Sequence, residues 1–271
     1  MNDIPVRIMQ FEFDENELRR SIRGMYGPLG LSMTLPYLEP YLIRSMREAL
    51  KHTSDPAVEA EVRQFIGQEA QHFRQHRLLN ELLRNCHDGY AGIRQIEDEM
   101  EADYQRFTAT KSLKFNLAYA EGFEAATCAL ALNRMKYMRA GEDMPDIEKL
   151  FVWHLTEEIE HRMVTFNIYK HLYGGYFYRL VVGMYGQYHF FKYVYRFARF
   201  IAQNQPSVDE SRPSGKSKRS EQGPKAAFAL LGSLLGTYLP WYDPAKLKLP
   251  ENIGALSERF SEEALETRGV S

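Results

Sequence analysis

The chain has 271 residues, 44% of them hydrophobic and 26% charged, with a formal net charge of −2. This balance is that of a globular domain with a sizeable core, and it gives no reason to expect nucleic acid or a strongly anionic surface as partner. Two cysteines, Cys86 and Cys128, are too few for a disulfide framework and fit a reducing compartment. No run of 18 apolar residues predicts a membrane span, and residues 1–17 lack the apolar segment of a signal peptide. A cytoplasmic protein is therefore expected.

A short alternating patch around Val6 and Ile8 suggests an extended lead-in. Gly24, Gly27, Pro28 and Gly30 then interrupt regular structure. Residues 31–51 predict a first long helix with Leu38, Leu42, Met46 and Leu50 on its apolar face. Glu39 is its candidate metal ligand. Pro40 follows directly, and proline suits the first helical turn, so the spacing places Glu39 near a helix start. Glu48 is the rival. It lies nine residues on, about 180° around the helix, so the two cannot serve one face.

Asp55 and Pro56 supply the cap and first-turn proline of a second helix, over 55–84. Phe65, Glu69, His72, His76 and Leu79 form one stripe on it. A polar connecting helix is expected over 93–107, with the acidic run Glu97, Asp98, Glu99 and Glu101 in solvent. Residues 111–138 predict a third helix, rich in alanine and closely packed. It carries Glu121 and Glu124, and a carboxylate in so apolar a stretch is costly to bury unless paired or coordinated. The two lie three apart, so helical spacing lets either face inward.

Gly141, Asp143 and Pro145 mark a stop followed by a start. A fourth helix is predicted to run to about Tyr173, ended by Gly174 and Gly175. His154, Glu158 and His161 follow the spacing i, i+4, i+7, which puts them within roughly 60° of one another. Glu157 flanks that face, and Glu160 reads as a surface residue. Arg162 and Trp153 read as packing or surface groups.

Two Glu-x-x-His pairs, Glu69 with His72 and Glu158 with His161, thus sit on separate helices. A carboxylate can bridge two cations while an imidazole nitrogen binds one, and residues three apart on a helix can reach the same ion. A four-helix bundle that holds two metal ions uses two such pairs plus one further glutamate from each remaining helix. The expected fold is therefore all-α, a four-helix bundle with additional helices and a C-terminal aromatic-rich extension.

Residues 176–201 are dense in tyrosine and phenylalanine with interleaved Arg179, Lys192, Arg196 and Arg199. A helix covering the bundle is the plain expectation. The same composition suits the lining of an apolar substrate channel or a peripheral membrane contact. Residues 203–225 read as a flexible linker, rich in Ser, Pro, Lys, Gln and Glu. The expected division is a di-metal helical domain over 1–202, that linker, and a helical tail over 226–271.

The stretch Phe65, Glu69, His72, His76 and Asn80, together with Trp153, His154, Glu157, Glu158 and His161, resembles the family of predicted metal-dependent hydrolases with a ferritin-like fold. The likeness covers roughly residues 31–173. In that family the third-helix glutamate is typically followed by His-Phe-Thr-Ala. The matching segment here is Glu121, Gly122, Phe123, Glu124 and Ala125, so the resemblance selects Glu121, with a departure at Gly122. The first-helix motif usually has Gly-Glu, where this chain has Leu38, Glu39 and Pro40. The run His154, Glu158, His161 is also similar to that of the di-iron arylamine N-oxygenases, in which the extra histidine binds iron.

These resemblances imply the ligand set Glu39, Glu69, His72, Glu121, His154, Glu158 and His161. Glu69, Glu121 and Glu158 are the expected bridges. His76, Glu124 and Glu157 would stand just outside the ligands, His76 with the option of binding directly. Two metal ions are implied, iron first, manganese or zinc as alternatives. With iron, the centre would be an O2-dependent oxidase or oxygenase acting on a small apolar or aromatic substrate. No Gly-rich dinucleotide motif is present, so an external electron donor would be needed. With another divalent ion, a metal-activated water would make it a hydrolase. A non-catalytic iron-binding protein is a third reading. Homo-oligomer formation is left open.

Overall fold

The computed structural model describes residues 4–138, 141, 143–205 and 223–269. Every regular element among them is helical. The helices are α1 (Glu15–Ser21), α2 (Tyr26–Ala49), α3 (Pro56–Asn85), α4 (Ile93–Thr110), α5 (Leu113–Met135), α6 (Asp146–Glu160), α7 (Val164–Leu172), α8 (Tyr176–Gln203), α9 (Gly223–Gly236) and α10 (Ile253–Gly269). The long helices pack as a bundle: α2 lies against α3 and α8, and α5 against α6, α7 and α8. Among the described residues no helix is long and apolar enough to cross a membrane. Cys86 and Cys128 are buried free thiols.

Helix α2 begins earlier than its prolines suggested, so Glu39 stands mid-helix and both Pro36 and Pro40 are interior. An interior proline deprives the carbonyl four residues back of its donor. For Pro36 that carbonyl belongs to Ser32, and the Asn80 side-chain amide of α3 donates to it instead, at 2.8 Å. Tertiary packing thus replaces the missing helical bond. The rings of Pro36 and Pro40 turn outward onto a groove shared with Tyr37 and Tyr104, where they displace no core side chain.

The second helix starts as expected, with Asp55 accepting from the backbone N–H groups of Ala57 and Val58. The acidic run of α4 does not lie wholly in solvent. Glu97 is buried and accepts from Arg84 at 2.7 Å and Tyr37 at 2.9 Å. The fourth expected helix is two. His161 closes α6 in a non-helical conformation, and α7 resumes at Val164. The Arg162 guanidinium satisfies the freed carbonyl of Ile159. Gly174, at φ +69, ends α7 in the left-handed region that favours glycine.

Helices α5 and α8 cross at glycines. A Cβ on Gly122 would stand 2.3 Å from the Gly183 Cα, and one on Gly186 would press on the Tyr119 backbone. The departure from the family pattern at Gly122 is what this close crossing requires. The aromatic segment is one 28-residue helix. Phe190, Tyr193, Phe197 and Ile201 join the core, and Phe177, Val181, Met184, Tyr188 and Tyr195 form an exposed stripe on the opposite face.

Of the expected linker over 203–225, residues 206–222 lie outside the described residues. Helix α9 packs on α5 and α10 on α6, and Leu256 and Phe260 are fully buried in the common core.

Candidate metal centre

Four helices aim charged side chains at the middle of the bundle: Glu39 from α2, Glu69 and His72 from α3, Glu124 from α5, and His154 and Glu158 from α6, with His161 at the end of α6. All are at most 4% exposed. Their ligand atoms fall into three overlapping groups. Glu39, His72 and His154 form one; Glu69, Glu124 and His161 another; Glu69, His72 and Glu158 lie between, with the atoms of each group within 4.8 Å of one another. Glu158 reaches both ends, 2.8 Å from His154 Nε2 through one oxygen and 3.5 Å from His161 Nε2 through the other. Glu69 Oε1 likewise lies 3.3 Å from His72 Nδ1 and 3.6 Å from His161 Nε2.

The outer hydrogen bonds decide which nitrogen of each ring faces inward. His72 Nε2 donates to Glu157 Oε2 at 2.9 Å, which leaves Nδ1 bare toward Glu69. Gln68 uses its amide N–H groups on Pro5 O and Glu160, so its Oε1 accepts from His161 Nδ1 at 2.9 Å. That leaves His161 Nε2 bare, 3.0 Å from Glu124 Oε2. Ser32 Oγ donates to Asn80 Oδ1, so it accepts from His76 Nδ1 at 2.9 Å. His76 Nε2 must then accept from His154 Nδ1, at 2.8 Å, and His154 Nε2 is bare toward Glu158. Each of the three imidazoles is thus fixed by a partner outside the cluster and turns a lone pair toward a carboxylate, the arrangement that orients metal-bound histidine.

A lone pair facing a carboxylate is repulsive unless a cation or a proton lies between them. Among the described residues, both oxygens of Glu39, Glu69 and Glu124, one oxygen of Glu158, His72 Nδ1 and His161 Nε2 are buried without a hydrogen-bond partner. Buried polar groups are otherwise almost always satisfied, and buried carboxylates are paired or coordinate metal. The donors therefore fit a metal site, and four carboxylates match the charge of two divalent cations.

The acid–base behaviour follows from the same crowding. Burial, with Glu69 and Glu158 close by, holds the Glu39 carboxyl well above its usual range. Burial and Glu158 push Glu124 up to about 8 against the pull of His161. Burial opposes charge on His72, but Glu157 and Glu69 raise it to about 9. Despite burial, His154 and His161 draw Glu158 well below the ordinary carboxylate value. His76 goes the other way: burial and the neighbouring His154 keep it neutral, as its role as acceptor requires.

Of the sequence-derived ligands, Glu39, Glu69, His72, His154, Glu158 and His161 come together. Glu121 does not, and Glu124 takes the third-helix place. The Gly122–Gly183 crossing turns Glu121 toward α8, where Arg179 Nη1 donates to it at 2.7 Å. Glu124, almost a full turn on, faces α6 and His161. Glu157 stands behind His72 and His76 behind His154. Glu160 is drawn off the surface by Arg7.

Arg7 itself went unrecognised in the lead-in. It is 2% exposed and bonds Glu157, Glu160 and the Ser257 carbonyl, while Trp153 Nε1 donates to Glu157 at 2.9 Å. Gln68 and Ser32 were missed as well. Gln68 lies one position before Glu69 in the α3 stripe, the one local hint of its inward face.

The family model described as predicted metal-dependent hydrolase matches residues 7–247. The match spans most of the chain, and the chain belongs to that family. No curated protein and no solved structure matches it.

Proposed function

We propose, from that family membership, that the protein is a metal-dependent hydrolase whose centre holds two divalent cations in a ferritin-like four-helix bundle. The observation that carries this reading is the convergence of ligand atoms from Glu39, Glu69, His72, Glu124, His154, Glu158 and His161, those of Glu39, Glu69, His72, Glu124 and His161 without a hydrogen-bond partner among the described residues. Such cations, when bound, lower the pKa of a water and polarise an ester or phosphoryl oxygen. The chain's own residues do the rest. Glu69 and Glu158 span the two ends of the cluster and would help to hold the cations. Glu39 with His154, and Glu124 with His161, complete the opposite ends. Glu157, Gln68 and His76 hold the three rings in the tautomer that presents a bare nitrogen.

A second reading, O2-dependent oxidation with two iron ions and an external electron donor, draws on a specific feature. Four carboxylates and three imidazoles in a closed bundle core are the donor set suited to iron in that fold. The two readings separate in one experiment. The purified protein is assayed for metal content, for hydrolysis of carboxylic and phosphoric ester panels, and for an optical change when its ferrous form meets O2. Turnover of an ester that is lost in Glu158→Gln, with no response to O2, supports hydrolysis. Two irons per chain with a transient absorbing species and no ester turnover replaces it with oxidation.

A further inference from the structure

A cavity of about 380 Å³ lies at the end of the bundle where α2 and α6 begin and α5 ends. Its wall is apolar: Leu31, Leu130, Phe151, Leu155, Phe190 and Val194 contribute to it. It stacks on the metal-site cluster along the bundle. At a rise of roughly 1.5 Å per residue, Phe151 is about 4.5 Å along α6 from His154, Leu130 about 9 Å along α5 from Glu124, and Leu31 about 12 Å along α2 from Glu39. All three displacements point to the same end.

The partition between cavity and cluster is thin. The Phe151 ring lies 5.5 Å from that of His76, and His76 lies 4.9 Å from His154. His154 stands three residues from the cavity-lining Phe151 in α6 and is 4% exposed, whereas His72 and His161 are fully buried. Arg134 and Glu148 also line the cavity, and they pair at 3.8 Å with more than a third of each side chain exposed. Their charged groups mark the outer rim.

We propose that this cavity holds the apolar acyl or aryl group of an ester substrate, with the scissile bond at the Phe151 end, beside His154. The proposal rests on the hydrolase reading and adds its substrate class. The volume is within the range of small-ligand sites, which are mostly apolar with few polar groups to fix orientation. In the reaction, the oxygen of water bonds to the carbonyl carbon, the acyl C–O bond breaks, and the alcohol leaves with a proton. No oxidant or reductant is consumed.

The test titrates the full-length protein with butylbenzene in a calorimeter and compares hydrolysis of 4-nitrophenyl acetate and hexanoate. Saturable binding at one site per chain is expected, with kcat/KM for hexanoate about tenfold or more above that for acetate. Leu130→Trp and Val194→Trp, made separately so that one folding failure does not end the test, should each abolish both while leaving metal content unchanged. Absence of butylbenzene binding, or equal binding by the parent and by folded tryptophan variants, overturns the assignment. Glu158→Gln should lose metal yet still bind butylbenzene. Binding that behaves as expected with no ester turned over supports the apolar chamber and overturns the hydrolase reading, so the two failures are distinguishable.

Discussion

Asn80 donates its side-chain amide to the Ser32 carbonyl at 2.8 Å and accepts from the Ser32 hydroxyl at 2.7 Å. The first bond repairs the helix at Pro36, and the second sets the direction of the hydrogen bonds through His76 to His154. One side chain thereby joins backbone repair to ligand orientation. Asn80→Leu removes both. Loss of a buried hydrogen bond that leaves its partner unsatisfied costs about 1–3 kcal/mol. A lower denaturation midpoint together with weaker metal binding is expected. A change in stability alone would detach Asn80 from the centre.

Glu121 and Glu124 give the most direct test of the cluster. Glu124→Ala should strip metal from the protein, because among the described residues its carboxylate faces only the cluster. Glu121→Ala should leave metal content near that of the parent and instead lower stability, since it abandons the buried guanidinium of Arg179. Elemental analysis of the two variants, beside their melting curves, decides it. The opposite order of metal loss would restore Glu121 as ligand.

Glu157 accepts from Arg7, Trp153 and His72 at once. Residues that orient a metal-bound histidine typically change affinity by about 10–100-fold when removed. Glu157→Ala should weaken cation binding by that order in a chelator competition. Glu160→Ala, which removes a carboxylate touching Arg7 and Gln68 but no ligand imidazole, should weaken it less.

The metal-free protein should lose stability as pH rises from 5 to 9. Glu124 is raised from 4.5 to about 8 and His72 from 6.5 to about 9, so the folded state binds more protons than the unfolded state across that interval. Where the folded state binds more protons, stability falls with increasing pH. Cations require these groups deprotonated, so their affinity should rise over the same interval, with release of protons. Thermal melts with and without divalent cation at pH 5, 7 and 9 check both signs. A metal-free melting temperature that rises with pH would contradict the burial of these groups in a common cluster.

The sequence by itself determined the all-α class and the helix faces on which the candidate ligands of α3 and α6 lie. The Glu-x-x-His spacing and the i, i+4, i+7 run of His154, Glu158 and His161 force these residues onto single helix faces, because helical geometry is local. Neither the choice between Glu121 and Glu124 nor the role of Arg7 is local. The first depends on where α5 meets α8, and the Gly122–Gly183 crossing sets that rotation. The second depends on an extended segment reaching across the bundle to α6 and α10. The prolines of α2 misled for a related reason: a helix interior that lacks a donor is unfavourable alone, and only the distant Asn80 makes it stable. Periodicity could place ligands on faces. Which face met the cluster, and which hydrogen bond fixed each imidazole, was decided by contacts between residues far apart in the chain.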